Sequence, residues 1–283
     1  MKTKTIFLSL LTALGAACGD DVSQTTVSLQ FALTDGDTEI GCDDLLAGVG
    51  ADAVDLEVRD ARFYVSNVRL VSASGEVPVA LDDVSPFQIS DVALVDFESA
   101  CSDAGDTNTN DVVVGTVPEG EYTGVRFTVG VPFELNHIDQ VVDETTTTPE
   151  PLRATGMWWN WQGGFKFIRV DLAPTPDSTS PGFNIHLGST ACMGNPLMGE
   201  DVTSCGNPNR MEVELTGFDP ASDTIAFDLR AALDGALTNQ NTGAALGCQS
   251  FPMDEECPAV FDNLGLPYGG VAPSGPQSVF RVR

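Results

Sequence analysis

The sequence predicts an all-β protein, an antiparallel β-sandwich with long loops that is stapled by disulfides. Three observations support this fold class. Polar and apolar residues alternate along several short segments, residues typical of turns (Gly, Pro, Asn and Asp) separate these segments, and six cysteines follow the N-terminal leader. Few stretches show the period of 3.6 residues expected of a helix. Many short strands with turn residues between them are typical of sandwiches and barrels.

The alternating segments give the order of the predicted elements. Alternation predicts strands at 27–33, 61–71, 120–131, 165–172, 183–187, 211–217 and 224–230. Short helices are predicted at 42–48, 230–237 and 258–264. The threonine run at 145–148 with the prolines after it is the best candidate for a domain boundary, but a long loop explains it equally well. We therefore predict one domain over residues 18–283.

The first 17 residues have the pattern of an export signal. Lys2 and Lys4 precede an apolar run, which ends in small residues and is too short to span a bilayer. Cys18 directly follows these small residues and resembles the lipidated cysteine of bacterial lipoproteins; ordinary signal-peptidase cleavage is the alternative. Both routes predict an exported protein, in the periplasm or as an outer-membrane or cell-surface lipoprotein. A lipid anchor on Cys18 would be its only contact with the membrane.

The chain is strongly acidic. Its formal net charge is −28, and loss of Lys2 and Lys4 with the signal peptide would take it to −30. Nucleic-acid binding is excluded as a function class because phosphate binding requires clustered Lys and Arg. A solvated acidic surface explains the charge, and a surface that attracts cations or a basic partner is the alternative.

Six cysteines remain beside Cys18, and an even number in an exported chain predicts disulfides. Six cysteines allow fifteen pairings. Short separations favour Cys192–Cys205 and Cys248–Cys257, which leaves Cys42–Cys101. A thiolate metal site would require close C-x-x-C pairs, and the sequence contains none.

Residues 156–167 contain all three tryptophans of the chain. On a strand, Met157, Trp159 and Trp161 would share one face, and Trp158 would lie on the other. The only two histidines, His137 and His186, flank this segment in the sequence. Imidazole is a good ligand for copper and zinc. A hydrogen-bonded structural role is the alternative for each histidine.

Three ordered motifs carry a family resemblance. The segments GVPFELNH (130–137), GMWWNWQGGFKF (156–167) and HLGSTAC (186–192) resemble those of the MbnP family, also called metallo-mystery pair four-Cys motif proteins. The late segment 248–261 is also similar to the family. The resemblance covers most of residues 27–283.

The resemblance implies a copper-binding protein with Cu(I) as the expected metal. His137 and His186 coincide with the motif histidines of the family. The family also implies a partner, MbnH, which is a dihaem homologue of cytochrome c peroxidases and oxidises one tryptophan to kynurenine. That residue would be Trp159 or Trp161 in this chain, and it would complete the metal site.

The cysteines are part of the same resemblance. The four cysteines that give the family its name are assigned to Cys192, Cys205, Cys248 and Cys257. Cys42 and Cys101 are an addition in this chain.

The sequence has no signature of an enzyme. G-x-S-x-G, P-loop and H-E-x-x-H motifs are all missing from it. We therefore expect no catalytic activity of its own. The alternative to copper binding is a disulfide-stabilised surface β-module that holds no metal and binds a protein or an envelope component.

Overall fold

The strands of the protein confirm the predicted fold class. The computed structural model describes residues 22–101, 107–138, 148–160, 162–243 and 245–283, so the predictions for the signal peptide, Cys18 and Trp161 lie outside the described residues. The strands are β1 (Gln24–Asp35), β2 (Thr38–Glu39), β3 (Leu45–Val49), β4 (Val54–Ser72), β5 (Gly75–Pro78), β6 (Ala80–Leu81), β7 (Gln88–Ile89), β8 (Val92–Asp96), β9 (Val112–Pro118), β10 (Gly124–Val129), β11 (Trp158–Asn160), β12 (Gly164–Pro174), β13 (Phe183–Gly188), β14 (Thr190–Met193), β15 (Ser204–Asn207), β16 (Met211–Thr216), β17 (Thr224–Asp228) and β18 (Phe280–Val282).

Helices are few and short. The α-helices are α1 (Phe133–Asn136), α2 (Leu229–Ala232) and α3 (Cys257–Asn263), and 3-10 helices cover Glu150–Arg153, Thr155–Met157 and Pro196–Met198. In the part of the chain that the structure describes, no helix has the length and apolar character needed to cross a membrane.

The strands form two large sheets and one hairpin. The first sheet has the order β18-β17-β1-β9-β6, with β2 beside β1, and its β1–β17 pair is parallel. The second sheet has the order β11-β12-β4-β10-β16, and β13 extends it beyond β12. Strands β3, β5 and β8 also pair with β4, while β7 pairs with β8. Strands β14 and β15 form the separate hairpin.

Phenylalanines pack the two large sheets against each other. The ring centroid of Phe31 in β1 lies 5.6 Å from that of Phe63 in β4 and 5.8 Å from that of Phe127 in β10. Phe280 of β18 lies 5.2 Å from Phe63. All four side chains are buried, and each stabilises the fold by about 1.5–3 kcal/mol through removal from water. This shared core confirms the sandwich.

Most of the predicted elements are present, and one is wrong. Strands lie at each predicted position, although β10 is shorter than the predicted 120–131 segment. Helices α2 and α3 lie at the second and third predicted helical segments. The predicted helix at 42–48 is instead strand β3. Leu46 pairs with Leu56 of β4 and is fully buried, so pairing with a long central strand overrides the weak local preference.

All three predicted disulfides are confirmed: Cys42–Cys101, Cys192–Cys205 and Cys248–Cys257. Cys192 and Cys205 are direct partners across the β14–β15 hairpin. The bond between Cys248 and Cys257 ties α3 to the segment beside β13. Closing such short loops stabilises a fold by about 3 kcal/mol on the loop-entropy model.

Candidate metal centre

The predicted site residues that the structure describes lie on or beside the strands around β12 in the second sheet. Strand β11 carries Trp158 and Trp159 and pairs with the start of β12, where Trp158 lies opposite Phe165. Strand β13 carries His186 on the other side of β12. Helix α1 ends at His137, which is its C-cap.

Trp158 and Trp159 have different surroundings, as alternation along a strand predicts. Trp158 packs against the hydrophobic core. Trp159 covers Gly188, where an added Cβ would lie 2.8 Å from the indole, and its ring centroid is 5.1 Å from that of Phe251. Met157 ends a 3-10 helix and is fully buried, so the strand alternation does not extend to it.

The turn after Asn160 is held by side-chain hydrogen bonds. The Oδ1 atom of Asn160 accepts from the backbone N–H of Gln162 at 3.0 Å and of Gly163 at 2.7 Å. The Nε2 atom of Gln162 donates to the carbonyl oxygens of Cys192 and Gly194. This turn is therefore attached to β14.

Asn136 attaches helix α1 to the same turn. Its side chain is 1% exposed, accepts from the N–H of Phe165 at 3.0 Å and donates to the carbonyl of Gly163 at 3.1 Å. Gly164 has φ +82°, and a Cβ there would lie 2.1 Å from the Asn136 carbonyl, so only glycine fits. Our sequence reasoning missed this role of Asn136, and the signal for it was a polar residue directly before the motif histidine.

His137 is half-buried and has an unused ring nitrogen. Its Nε2 atom lies 3.6 Å from Cys205 Sγ and 3.3 Å from Asn136 Nδ2, and its ring packs edge-on against Phe133. Its Nδ1 atom is buried and has no hydrogen-bond partner among the described residues. Burial lowers the pKa of His137, and the backbone of Gln162 opposes this only in part. The neutral imidazole is therefore favoured, which is the form that binds metals.

His186 is buried, and both of its ring nitrogens are engaged. Nε2 lies 2.6 Å from Asp171 Oδ1, and Nδ1 lies 2.9 Å from Gln249 Oε1. The Nε2 atom of Gln249 donates to the Leu246 carbonyl, which orients the amide oxygen towards the imidazole. Each ring nitrogen therefore faces an oxygen of a neighbouring side chain. In this arrangement neither nitrogen of His186 is open to a metal.

A buried ionic cluster lies beside His186. Asp171 accepts from Arg169 and His186, and Asp60 pairs with Arg62 and Arg169. Burial would raise the pKa of Asp171, but the hydrogen bond and charge of His186, together with Arg169, outweigh burial and hold the pKa below its usual range. Sequence reasoning missed this cluster because its members are brought together by strand pairing.

The cluster also holds the tryptophan segment in place. Lys166 and Arg169 both donate to the carbonyl of Gly156, at 3.0 and 3.1 Å. Burial lowers the pKa of Lys166 to about 8, and the charge of Arg169 adds to the effect. The two cations thereby fix the start of the segment that carries the indoles.

His137 and His186 belong to elements that meet β12 at different positions. The end of α1 lies against Gly164, whereas His186 pairs with Arg169, five residues further along β12, which is about 16 Å of strand. Trp159 covers Gly188, which lies two residues beyond His186 on the same strand.

Of the proposed copper ligands, only His137 is suited to copper in the arrangement that the structure shows. His137 has a buried nitrogen with no partner and lies beside sulfur, which suits a soft metal. His186 fits only after one of its hydrogen bonds is released. The indoles themselves have no lone pair for a metal.

These features define a disulfide-stapled β-sandwich with a candidate metal centre near His137, at the end of α1, and Trp159, in β11. The MbnP family model matches residues 24–250, and the chain belongs to the MbnP family. The solved structure of MbnP from Methylosinus trichosporium is similar to it, with 33% identity and a TM-score of 0.78, over 92% of this chain and 99% of that chain. A search of curated proteins found no match. The family is associated with copper.

Proposed function

We propose that the protein is an exported copper-binding protein of the periplasm or cell envelope that holds Cu(I). Its ligands are His137, His186 and a kynurenine made from Trp159 or Trp161 by an MbnH-like dihaem partner. It carries no catalysis of its own, and Cys18 is its lipid anchor. Membership of the MbnP family supports the metal and the partner. The observation that carries the proposal is the buried Nδ1 atom of His137, which has no hydrogen-bond partner among the described residues.

The oxidation gives the tryptophan side chain metal-binding atoms that the indole lacks. Two molecules of hydrogen peroxide deliver two oxygen atoms across the C2–C3 bond of the indole, the bond breaks, and the peroxide is reduced to two molecules of water. Hydrolysis of the resulting N-formyl group by one water releases formate. The products on the protein are an aromatic amine and a ketone, and both have lone pairs for a metal.

The surroundings of Trp159 suit a residue that a partner enzyme oxidises. Trp159 is half-buried against Phe251, so one side of its ring is within reach of a partner protein. Its place over Gly188 puts it next to His186 along β13. Trp161 remains the second candidate because it belongs to the same motif and lies between Asn160 and Gln162, whose side chains order the turn near His137.

His186 requires a rearrangement before it binds copper. One ring nitrogen must first give up its present partner, Asp171 or Gln249. The Gln249 bond is the one expected to break, because the Asp171 carboxylate then keeps the remaining N–H, as carboxylates do behind metal-bound histidines.

The test compares protein made with and without an MbnH-like partner. Intact and peptide mass spectrometry should find conversion of one tryptophan to kynurenine only with the partner, and Cu(I) should bind more tightly after it. Trp159→Phe and Trp161→Phe identify the modified residue, and Trp158→Phe is the matched control. Unmodified tryptophans with unchanged copper binding would refute the kynurenine part of the proposal.

A metal-free binding module is the second candidate function. Met193, Leu197 and Met198 are 65–76% exposed, and such apolar side chains suit a protein partner. Under this alternative, His137→Ala combined with His186→Ala changes stability only. Loss of stoichiometric copper binding in the folded double variant would exclude it.

A further inference from the structure

One imidazole and two sulfurs converge near helix α1. One ligand atom each from His137, Cys192 and Cys205 can be chosen so that all three lie within 4.8 Å of one another. The two sulfurs are joined in a disulfide. Disulfide sulfur is a weak ligand, whereas thiolate is the strong soft one. The geometry of a metal site is therefore present, while the disulfide blocks its chemistry.

We propose that reduction of the Cys192–Cys205 disulfide opens a second mode of copper binding, in which Cu(I) is held by two thiolates and the imidazole of His137. This inference deepens the proposed function, on which the choice of copper rests, but it requires no kynurenine. Two thiolates and one imidazole suit Cu(I) in a three-coordinate site.

The reductant is a dithiol, either a small molecule or an exported protein with two reactive cysteines. One thiolate of the dithiol attacks a sulfur of the Cys192–Cys205 bond and forms a mixed disulfide, and the other cysteine leaves as a thiolate. The second thiol of the dithiol then displaces the first cysteine. The dithiol is oxidised to a disulfide by two electrons, and Cys192 and Cys205 are reduced to thiols, which lose their protons when the metal binds.

The hairpin keeps the two cysteines together without the covalent bond. Cys192 and Cys205 are direct partners in the β14–β15 pair, with Cα atoms 3.7 Å apart. Gln162 holds the β14 side through its hydrogen bonds to the carbonyls of Cys192 and Gly194. Reduction therefore leaves both sulfurs beside His137.

The other two disulfides do not offer the same site. Cys248 and Cys257 are at most 1% exposed, which shields them from a dithiol. Cys42 and Cys101 are half-exposed, but the third potential ligand near them is the carboxylate of Glu98. Carboxylate is a hard ligand and suits Cu(I) poorly. The pair Cys42–Cys101 is therefore the matched control.

The experiment uses protein made without the partner, so that its tryptophans are unmodified. The protein is reduced with a mild dithiol, freed of the reagent without oxygen, and exposed to Cu(I) under competition from bicinchoninate or to Co(II). Iodoacetamide then labels accessible thiols, and mass spectrometry locates the label. We expect Cu(I) to protect Cys192 and Cys205 from alkylation by about tenfold or more, and Co(II) to show thiolate charge-transfer absorption.

Substitutions separate the contributions of the two thiolates and of the imidazole to metal binding. Cys192→Ser with Cys205→Ser should abolish the absorption, His137→Gln should weaken metal binding about tenfold, and Cys42→Ser with Cys101→Ser should leave both readouts unchanged. Equal alkylation of Cys192 and Cys205 with and without Cu(I) in reduced wild type would overturn the proposal even if the serine variant does not fold. Failure of this site leaves the kynurenine proposal standing, and failure of kynurenine formation leaves this site standing.

Discussion

The Nε2 atom of His186 lies 2.6 Å from Oδ1 of Asp171 on the neighbouring strand, so this histidine serves as a donor within the fold. Its other nitrogen faces Gln249 at 2.9 Å. His137, by contrast, has a buried nitrogen with no partner among the described residues. The two motif histidines therefore contribute differently to stability and to metal binding.

Single alanine variants should separate these contributions. His186→Ala removes the partner of Asp171 Oδ1 and of the Gln249 amide oxygen, so the free energy of unfolding should fall by about 2–4 kcal/mol. His137→Ala should change that free energy by about 1 kcal/mol or less, because its ring makes no strong hydrogen bond. It should lower Cu(I) affinity by on the order of 100-fold. Denaturant unfolding and competition with a chelator measure the two effects, and equal destabilisation by both variants would contradict this assignment.

Asn136 should act as a positioning residue for His137. Asn136→Ala removes the partners of the Phe165 N–H and the Gly163 carbonyl, and this should cost about 2–4 kcal/mol. Copper affinity should fall by about tenfold in the folded variant, because α1 is no longer held to the turn. The exposed Asn239 provides the control, since Asn239→Ala should be close to neutral in both assays. An Asn136 variant with wild-type stability would refute the role.

The missing side chain of Gly188 should be required for the indole of Trp159 to occupy its position. Gly188→Ala puts a Cβ 2.8 Å from the indole and 2.9 Å from the Phe165 carbonyl, so the indole must move, at a cost of about 1–3 kcal/mol. Tryptophan fluorescence should shift towards the emission of exposed indole. Gly41→Ala is the matched control, because its Cβ would meet nothing within 4 Å. Unchanged fluorescence and stability would show that Trp159 does not rely on this contact.

Asp96 should make stability depend on pH. Burial raises the pKa of Asp96 to about 7, although Arg62 opposes the shift. Between the usual aspartate pKa of about 4 and pH 7, the folded state binds more protons than the unfolded state, so the free energy of unfolding falls as pH rises. Asp96→Asn should remove this pH dependence and raise the free energy of unfolding by about 1–3 kcal/mol at pH 8.

Unfolding curves between pH 4 and pH 8 test the Asp96 prediction. The control is Asp91→Asn, which changes an exposed aspartate at the start of the same strand region and should leave the profile unchanged. Parallel profiles for wild type and Asp96→Asn would contradict the prediction.

Much of the fold followed from local pattern. Alternation located β1, β4, β12 and β13, and cysteine spacing favoured two of the disulfide pairs that the structure contains and left the third as the remainder. The helix prediction at 42–48 is wrong because this short segment has no strong period, and the pairing of β3 with β4 decides its structure. The ionic cluster of Asp60, Arg169 and Asp171 has no local signal either, since it depends on the register between β4 and β12.

The site shows the same division between sequence and structure. The sequence by itself determined the fold class, the family motifs and the residues with metal-binding chemistry, because periodicity and side-chain type are visible in short stretches of sequence. Only the tertiary structure decided that both nitrogens of His186 are engaged and that Nε2 of His137 lies 3.6 Å from a disulfide sulfur. These relationships join residues between 15 and 68 positions apart. They are set by strand register and by the packing of α1 on the turn, which no local pattern records.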